Sequence, residues 1–364
     1  MMIDVWIFIL FFFVVLRLIV SIVNAASSLY LKPAKPDRGD FVSVLIPARN
    51  EADNLVVLLK QLIQQTYSNL EILVYDDYST DNTPDVIRNF SEQDQRIKLI
   101  QPKPLPGEWL GKNFACHQLA GKARGAFFLF LDADVKLSSS LVGNALNYIK
   151  EKKLDLLSIF PSQEMKTWGE WITVPLMNWI LLSLLPLALV RKSKRPSLAA
   201  ANGQFMMFNA ANYRQNIWHE QVKGNLVEDI VIIRRMKQMG YTTATLLGNN
   251  DVVCRMYKSF HEAIRGFSKN VIEFFGGQSI VAILFALLVI SSFAMPFVIS
   301  LKLFVIYVLM VTLMRIMISF AAGQSVTKNL LLHIPQMIAF VWLVIRGCYV
   351  RISGRYTWKG RQIR

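Results

Sequence analysis

The sequence predicts an α/β domain built on a mostly parallel sheet, with membrane-spanning helices before and after it. The 364 residues are 53% hydrophobic and only 18% charged, whereas soluble chains carry about 25% charged residues. Long apolar runs lie at both ends of the chain. Between them, short β-rich runs alternate with stretches of helical spacing. The composition therefore excludes a disordered chain and favours a membrane protein with one globular domain.

The first apolar run, Met2–Val23, is long enough to cross about 30 Å of hydrocarbon as a helix. It begins with Asp4 rather than with a basic cluster, and it exceeds the apolar core of about 7–15 residues found in signal peptides. The alternative is a cleaved signal peptide, because Val23-Asn24-Ala25 resembles a small-residue cleavage site. We expect an uncleaved anchor over residues 1–24.

Three more apolar runs predict C-terminal membrane segments over residues 278–350. Ser279–Leu301 is expected to span the bilayer. Leu303–Ala322 contains Arg315, and Asn329–Val350 contains His333 and further polar residues. A charged residue at the centre of a spanning helix costs ~2.5–3.5 kcal/mol on insertion scales, so we expect Arg315 to face protein or water.

The tail over residues 351–364 constrains the topology. It has five basic residues and no acid: Arg351, Arg355, Lys359, Arg361 and Arg364. The positive-inside rule places such a tail on the cytoplasmic side of the cell membrane, together with the globular domain. Four full spans that start outside would place it outside. We therefore predict that Leu303–Ala322 or Asn329–Val350 is re-entrant, or pairs with its neighbour as an incomplete hairpin, in a multi-pass protein.

Residues 168–195, within the globular domain, predict a segment that lies in the membrane interface. Its apolar part, Trp171–Val190, is interrupted by two prolines and is followed by the basic run Arg191–Arg195. An interfacial helix explains this pattern better than a span does. The tryptophans of the segment are expected to be interfacial anchors rather than a substrate platform: Trp168, Trp171 and Trp179.

Residues 41–277 form the predicted α/β domain. Strands are predicted over Val42–Ile46, Glu71–Tyr75, Lys98–Gln101 and Phe127–Leu131. Helices are predicted over Asn54–Gln65, Asp81–Glu92 and Lys112–Ala123. Such alternation predicts a parallel sheet with right-handed crossovers, whose ligand site lies beyond the carboxyl ends of the strands.

Polar clusters follow three of the predicted strands. They are Pro47-Ala48-Arg49-Asn50-Glu51, Asp76-Asp77-Tyr78-Ser79-Thr80-Asp81 and Asp132-Ala133-Asp134. Helix capping explains Asp81, but it does not explain Asp76 or Asp77. Asp132 and Asp134 are two apart on an extended segment, so both carboxylates project to one face. They predict a site for Mg²⁺ or Mn²⁺; a solvated turn is the alternative.

Several other classes of protein are disfavoured. The segment Gly107–Asn113 lacks the spacing of a phosphate loop, and no G-x-G-x-x-G follows a strand. The three cysteines are widely spaced, and the four histidines stand alone, so neither disulfides nor a zinc site is indicated. The net charge is +15, and the basic residues cluster beside apolar segments. This pattern favours binding to an anionic bilayer surface over binding to nucleic acid.

In this order the motifs resemble the membrane-bound family-two glycosyltransferases, which have a GT-A fold with a Rossmann-like sheet. The resemblance covers roughly Val42 to Lys269. It implies that a nucleotide-sugar donor contacts the residues Pro47, Ala48, Arg49, Glu51, Asp77, Lys112 and Asp132. It also implies that Asp132 and Asp134 hold the metal on the diphosphate.

The same resemblance implies that Asp229 of the pair Glu228-Asp229 is the catalytic base. A first-turn pair on a helix over Val227–Met239 is the plainer interpretation, and both can hold. Arg265-Gly266-Phe267 stands where the family has its Q-x-x-R-W acceptor motif, but Gln and Trp are missing. This departure weakens the interpretation of the chain as a processive polysaccharide synthase. Gly203-Gln204 lines the acceptor site or merely ends a loop.

Two further segments, Trp109–Cys116 and Trp358–Gln362, resemble the carotenoid glycosyltransferases of this family. The resemblance implies an inverting hexosyltransferase that moves sugar from a donor such as UDP-glucose to a membrane lipid, in the first place a hydroxylated or carboxylated carotenoid. A polyprenyl-phosphate or glycolipid glycosyltransferase is the alternative. A non-catalytic membrane scaffold with a degenerate sugar-nucleotide domain is the alternative from another class, although no motif carboxylate is missing.

Overall fold

The computed structural model describes residues 2–34, 39–353, 356–358 and 361–363. Among these residues, the large sheet has seven strands. They are β1 Val42–Ala48, β2 Leu70–Asp76, β3 Ile97–Ile100, β4 Phe127–Leu131, β6 Leu156–Phe160, β8 Phe205–Asn209 and β9 Thr243–Leu247. The remaining strands are short: β5 Val135–Leu137, β7 Ser162–Gln163, β10 Val252–Cys254, β11 Tyr356–Trp358 and β12 Arg361–Ile363.

The order of the large sheet is β3-β2-β1-β4-β8-β6-β9. Neighbouring strands are parallel except β8, which runs antiparallel to β4 and β6. Its register pairs Leu131 at the end of β4 with Phe205 at the start of β8. The four predicted strands are confirmed with ends that differ by at most two residues. The strands β6, β8 and β9 were not predicted from the sequence.

Helices cover both faces of the sheet. The helices of the globular part are α2 Ala52–Ile63, α3 Thr83–Gln93, α4 Gly111–Lys122, α5 Leu141–Glu151, α6 Trp168–Thr173, α7 Pro175–Leu184, α8 Ala188–Lys192, α9 Ala210–Asn216, α10 Trp218–Gln221, α11 Glu228–Gln238 and α12 Phe260–Phe267. Short 3₁₀ helices span Pro196–Leu198 and Val271–Phe275. One core packs α2, α3 and α5 on the sheet, and the core on the other face continues into the terminal helices.

The terminal helices are α1 Met2–Ala26, α13 Ser279–Ile299, α14 Leu301–Ala321, α15 Val326–Leu331 and α16 His333–Ser353. Within the described residues, α1, α13, α14 and α16 are long and apolar enough to cross a membrane. Helix α1 packs on α14 and α7. Its Arg17 donates to Ser183 Oγ at 2.8 Å, and its guanidinium lies 4.3 Å from the centre of the Trp179 ring.

Arg315 faces protein, as expected for a charge inside an apolar helix. Its side chain is only 2% exposed, and it donates to Gln336 Oε1 and to the backbone oxygen of Asn329. Gln336 in turn donates to the backbone oxygen of Trp171 at 2.8 Å. The buried arginine thus links α14, α16 and the start of the predicted interfacial segment.

The tryptophans of that segment differ in their surroundings. Trp179 is 1% exposed, so it is enclosed by protein, and its prediction as an interfacial anchor is wrong. It packs where α1 and α7 meet, since Arg17 lies over its ring. Trp168 is 69% exposed and remains available as an interfacial anchor.

Helix α16 follows the surface of the globular domain. Gln336 near its start contacts α6, and Gly347 packs on Val271, where an added Cβ would lie 2.6 Å from Val271 Cγ1. Arg351 donates to Glu273 Oε1 at 3.2 Å. From Gln336 to Arg351 the helix advances about 22 Å. A spanning helix would leave the domain over such a length. These contacts therefore favour α16, which covers most of the run Asn329–Val350, as the segment that does not cross the membrane.

We therefore predict that α1, α13 and α14 span and that the C-terminal tail stays on the side of the globular domain. In a Cys348→Ser background, an Arg364→Cys variant should resist a membrane-impermeant maleimide in intact cells and react after permeabilisation. Ser300→Cys, between α13 and α14, is the control and should react in intact cells. Labelling of Arg364→Cys from outside would show that α16 crosses.

Part of the predicted tail lies outside the described residues. This applies to Arg355, Lys359 and Arg364, and to Lys359 and Gly360 within the segment Trp358–Gln362. The described part of the tail consists of residues 351–353 at the end of α16 and of the strands β11 and β12, which are antiparallel and pair Trp358 with Arg361. The sidedness of the tail therefore stays a prediction.

Candidate functional site

An ionic cluster lies where the predicted motifs meet. Strands β1, β2 and β4 are parallel, so their carboxyl ends share one edge of the sheet. Lys112, in the first turn of α4, places Nζ 2.8 Å from Asp132 Oδ1 and 3.0 Å from Glu228 Oε1. Burial alone would lower the pKa of Lys112, but Asp132 and Glu228 raise it well above its ordinary value. The lysine therefore stays charged.

Asp229 lies beside this cluster and is held by the backbone. Its Oδ2 accepts a hydrogen bond from the Gly203 N–H, and its Oδ1 accepts one from the Ile230 N–H, both at 2.8 Å. Burial, followed by the like charge of Glu228, raises the pKa of Asp229 to about 7. A carboxylate with a pKa near neutrality is well suited to general-base catalysis.

Gly203 leaves little room for a side chain at this position. An added Cβ would lie 3.1 Å from both Glu228 Oε1 and Lys112 Nζ. Glycine therefore lets the backbone approach the ionic cluster closely and present its N–H to Asp229. The structure thus places Gly203 against the predicted catalytic pair.

Asp134 lies in the turn after β4 and is held there by two side chains. Gln204 Nε2 lies 3.2 and 3.3 Å from its two carboxylate oxygens, and Cys254 Sγ lies 3.4 Å from Oδ2. Burial, followed by the like charges of Asp132 and Glu51, raises the pKa of Asp134 to about 6. Gln204 reaches this place because β8 pairs antiparallel with β4. A hydrogen bond of 3.3 Å from the Asp132 N–H to the Gln204 backbone oxygen extends that pairing by one residue.

The loops after β1 and β2 are tied together. Arg49 Nη1 donates to the backbone oxygens of Asp77 and Tyr78 at 2.5 and 3.3 Å, and it lies 3.9 Å from Asp77 Oδ2. The Asp77 N–H donates to the oxygen of Ala48, which with Pro47 ends β1. Glu51 Oε2 accepts from the Asn54 side chain at 2.6 Å. The predicted nucleotide-contacting residues are thus neighbours at one edge.

The two predicted acceptor residues of α12 lie in different surroundings. Arg265 is exposed. Phe267 is 3% exposed and packs edge-on against Tyr257, with ring centres 4.8 Å apart. The Phe267 ring is therefore part of the core, whereas the Arg265 side chain is exposed.

Three residues of this region received no role from the sequence. Cys254, at the end of β10, contacts Asp134 although the two are far apart in sequence. Asp76 is buried, and its Oδ1 has no hydrogen-bond partner among the described residues. Asn113 Nδ2 lies within 3.2 Å of the backbone oxygens of Val222, Lys223 and Asn225. Only Asp76 had a local signal, its position at the end of a strand.

The two strand-end carboxylates fit a divalent cation that takes its other ligands elsewhere. Within the described part of the chain, no group of three or more His, Cys, Asp and Glu side chains forms a metal site. Burial and then the like charge of Asp132 raise the pKa of Asp134, and a cation between the two carboxylates would relieve their repulsion. Carboxylate oxygens would suit Mg²⁺ or Mn²⁺ at this place.

Comparisons with known proteins identify the domain. Residues 43–215 match the model of Glycosyl transferase family 2. The chain is 27% identical over 233 residues to 4,4'-diaponeurosporenoate glycosyltransferase of Staphylococcus haemolyticus, a match that covers 63% of this chain and 60% of that protein. It is 30% identical over 115 residues to the Escherichia coli UDP-Glc:alpha-D-GlcNAc-diphosphoundecaprenol beta-1,3-glucosyltransferase WfaP, covering 32% of this chain and 43% of that protein.

A solved structure supports the same fold over nearly the whole chain. The mannosyltransferase PcManGT from Pyrobaculum calidifontis, in complex with GDP-Man and Mn²⁺, matches with a TM-score of 0.58 and 17% identity. The match covers 97% of this chain and 100% of that one. The chain therefore has a GT-A fold, as the motifs predicted, and its residues 43–215 match Glycosyl transferase family 2. Its matched region spans less than two thirds of either curated relative.

Replacing Lys112 tests the ionic cluster. Lys112→Met should weaken binding of a nucleoside diphosphate, because it removes a charged group beside Asp132. It should also lower the thermal stability modestly, since Glu228 loses its cationic partner. Isothermal titration with UDP and thermal unfolding measure the two effects. Lys122→Met, at the exposed end of the same helix, is the matched control. Unchanged UDP affinity in Lys112→Met would contradict a role at the phosphates.

Proposed function

We propose that this protein is an inverting glycosyltransferase that moves a hexose from a nucleotide sugar, UDP-glucose in the first place, to a membrane lipid. The observation that carries the proposal is the position of Asp229, held by two backbone N–H groups beside the cluster of Lys112, Asp132 and Glu228. The arrangement sets a base with a pKa near neutrality next to groups able to hold a diphosphate.

The proposed binding of the nucleotide sugar is supported by the charged side chains at the ends of the strands. Arg49 and Asp77 would hold the nucleoside, and the buried Oδ1 of Asp76 would accept a hydrogen bond from a ribose or base group. Asp132 and Asp134 would hold Mg²⁺ or Mn²⁺, which when bound neutralises charge on the departing diphosphate.

The transfer step follows from this placement. The acceptor hydroxyl oxygen attacks the anomeric carbon from the face opposite the diphosphate, and Asp229 takes its proton. The bond between the anomeric carbon and the diphosphate oxygen breaks, and its electron pair leaves with the diphosphate. The configuration inverts, so an α-linked donor gives a β-linked product. Lys112 remains charged throughout and would contact the diphosphate. A carboxylate acceptor needs no base.

The acceptor proposal is a lipid that enters from the bilayer, in the first place a hydroxylated or carboxylated carotenoid. It is supported by the apolar helices that share one core with the globular domain. The name of the Staphylococcus relative supports a carotenoid acid. The name of the Escherichia coli relative supports the second candidate, a polyprenyl-linked glycolipid. On either proposal, the globular domain lies on the cytoplasmic side of the cell membrane.

A panel of acceptors tests this proposal. Detergent-dispersed hydroxylated carotenoid, carboxylated carotenoid, polyprenyl phosphate, diacylglycerol and a soluble oligosaccharide would each be offered with UDP-glucose and Mn²⁺. Transfer to a carotenoid supports the first candidate, and transfer to polyprenyl phosphate supports the second. Efficient transfer to the oligosaccharide alone would overturn the lipid acceptor. No transfer and no UDP binding would favour the non-catalytic scaffold.

A further inference from the structure

A second candidate binding site lies on the other side of α11. A cavity of about 340 Å³ is lined by residues 224–227, by Val231, by residues around Lys269 and Glu273, and by Gly347 and Arg351 of α16. At about 100° per residue, Asp229 lies on the opposite side of α11 from Val231. The cavity is therefore separate from the proposed site of transfer.

The cavity carries an excess of positive charge. The charged side chains in its described lining are Lys269, Arg351 and Glu273. Arg234 adjoins them, with Nη1 4.0 Å from Glu273 Oε2, while Arg351 Nη1 lies 3.2 Å from Glu273 Oε1. Among the described lining residues, two cations thus accompany one carboxylate, and Arg234 adds a third cation next to Glu273. Burial, followed by the nearby charge of Arg265, lowers the pKa of Lys269. An anion bound here would relieve this repulsion.

Apolar groups in and beside the cavity indicate which kind of anion would fit it. Leu226, Val231 and Ile272 form part of its lining. On α16, the side chain of Ile352, next to Arg351 in sequence, is 87% exposed. Exposed apolar side chains on a helix next to a membrane suit acyl chains, whereas a soluble anion would contact only the cations.

We propose that this cavity binds the phosphate of an anionic membrane lipid. Lys269 and Arg351 contact the phosphate, and the acyl chains lie along α16. The bound lipid links α16 to the segment that precedes α11. Asn113 donates hydrogen bonds to this segment at Val222 and Asn225, and it follows Lys112 in sequence. By fixing the segment, the bound lipid would therefore also stabilise the position of Lys112 in the ionic cluster. The expectation that anionic bilayers increase the transfer rate rests on the proposed function, whereas the expectation of lipid binding does not.

Lipid retention tests the site directly. The full chain is reconstituted in nanodiscs of phosphatidylcholine with or without phosphatidylglycerol, and bound lipids are counted by native mass spectrometry. The wild type should retain phosphatidylglycerol in preference. The double variant Lys269→Met/Arg351→Met should lose affinity for it by about tenfold or more, because two charge-assisted contacts are removed. Arg346→Met, a charge removal on the same helix outside the described lining, is the matched control and should retain the lipid.

Activity provides a second readout. The ratio of transfer rates with and without phosphatidylglycerol should exceed one in the wild type and in Arg346→Met, and approach one in the double variant. If the double variant unfolds, Val231→Phe replaces it, since it narrows the cavity without changing its charge.

Three results would overturn the proposal. They are equal retention of phosphatidylglycerol by the double variant and the wild type, no preference for that lipid in the wild type, and displacement of the bound lipid by an equal concentration of inorganic phosphate. The last would indicate a site for a soluble anion. Retention that depends on Lys269 and Arg351, without transfer in any disc, would uphold the lipid site and contradict the proposed function alone.

Discussion

Asp229→Asn should lower the rate of transfer to an alcohol acceptor by about 10²–10⁴-fold, the range that a positioned general base contributes. The amide has nearly the same shape but cannot accept the proton. UDP affinity should be unchanged, because Asp229 bonds to Gly203 and Ile230 rather than to the strand-end loops. Steady-state kinetics and titration with UDP separate the two effects.

The pH dependence adds a second check on Asp229. Its pKa is raised to about 7, and the ionised form is the base. Transfer to an alcohol should therefore fall as the pH drops below about 7. Asp85→Asn, an exposed carboxylate on α3, is the matched control and should keep both rate and profile. An equal loss of UDP affinity in Asp229→Asn would place Asp229 in the donor site or in the fold.

Asp132→Ala and Asp134→Ala should each reduce transfer by at least about 100-fold and remove its dependence on added Mg²⁺ or Mn²⁺. Both carboxylates follow β4 at its carboxyl end, where a cation on the diphosphate would relieve their repulsion. Titration of activity with Mn²⁺, and Mn²⁺ binding followed by electron paramagnetic resonance, measure the two effects.

The fold should survive either change. Lys112 keeps Glu228 as a partner when Asp132 is removed, and Asp134 lies between β4 and β5 rather than within a strand. Thermal unfolding compared with Asp85→Ala checks this. Full activity of either variant in excess chelator would contradict the metal assignment.

The first half of the sheet was predictable because its strands are apolar runs separated by amphipathic helices. The second half was not, since β8 runs against its neighbours and pairs with β4, which lies far away in sequence. The run Phe205–Phe208 is too short and uniformly apolar to show its direction. That pairing is what brings Gln204 to Asp134, so sequence reasoning could name Gln204 without placing it.

The candidate site was predictable in its carboxylates but not in its contacts. Asp132 and Asp134 were predicted from their position after a strand and Asp229 from the family resemblance, whereas only the structure shows Lys112 between Asp132 and Glu228.

Burial could not be foreseen for single aromatic residues. Trp179 is enclosed by the rings of Phe285 and Phe340. It packs at a junction of helices distant in sequence, where no local pattern reveals a neighbour. Phe267 packs on Tyr257, which lies close in sequence but before α12, so the periodicity of the helix alone does not show the contact.

The anomeric configuration of the product made from UDP-glucose separates an inverting lipid glycosyltransferase from its alternatives. The purified full chain would be incubated with UDP-glucose labelled in the sugar, Mn²⁺ and a lipid acceptor, and the organic phase would be analysed by nuclear magnetic resonance. We expect label in the organic phase as a β-linked lipid glucoside, formed about 10²–10⁴-fold more slowly with Asp229→Asn when the acceptor is an alcohol. An α-linked product, or label confined to the aqueous phase with every lipid offered, would contradict inversion by Asp229 onto a membrane lipid.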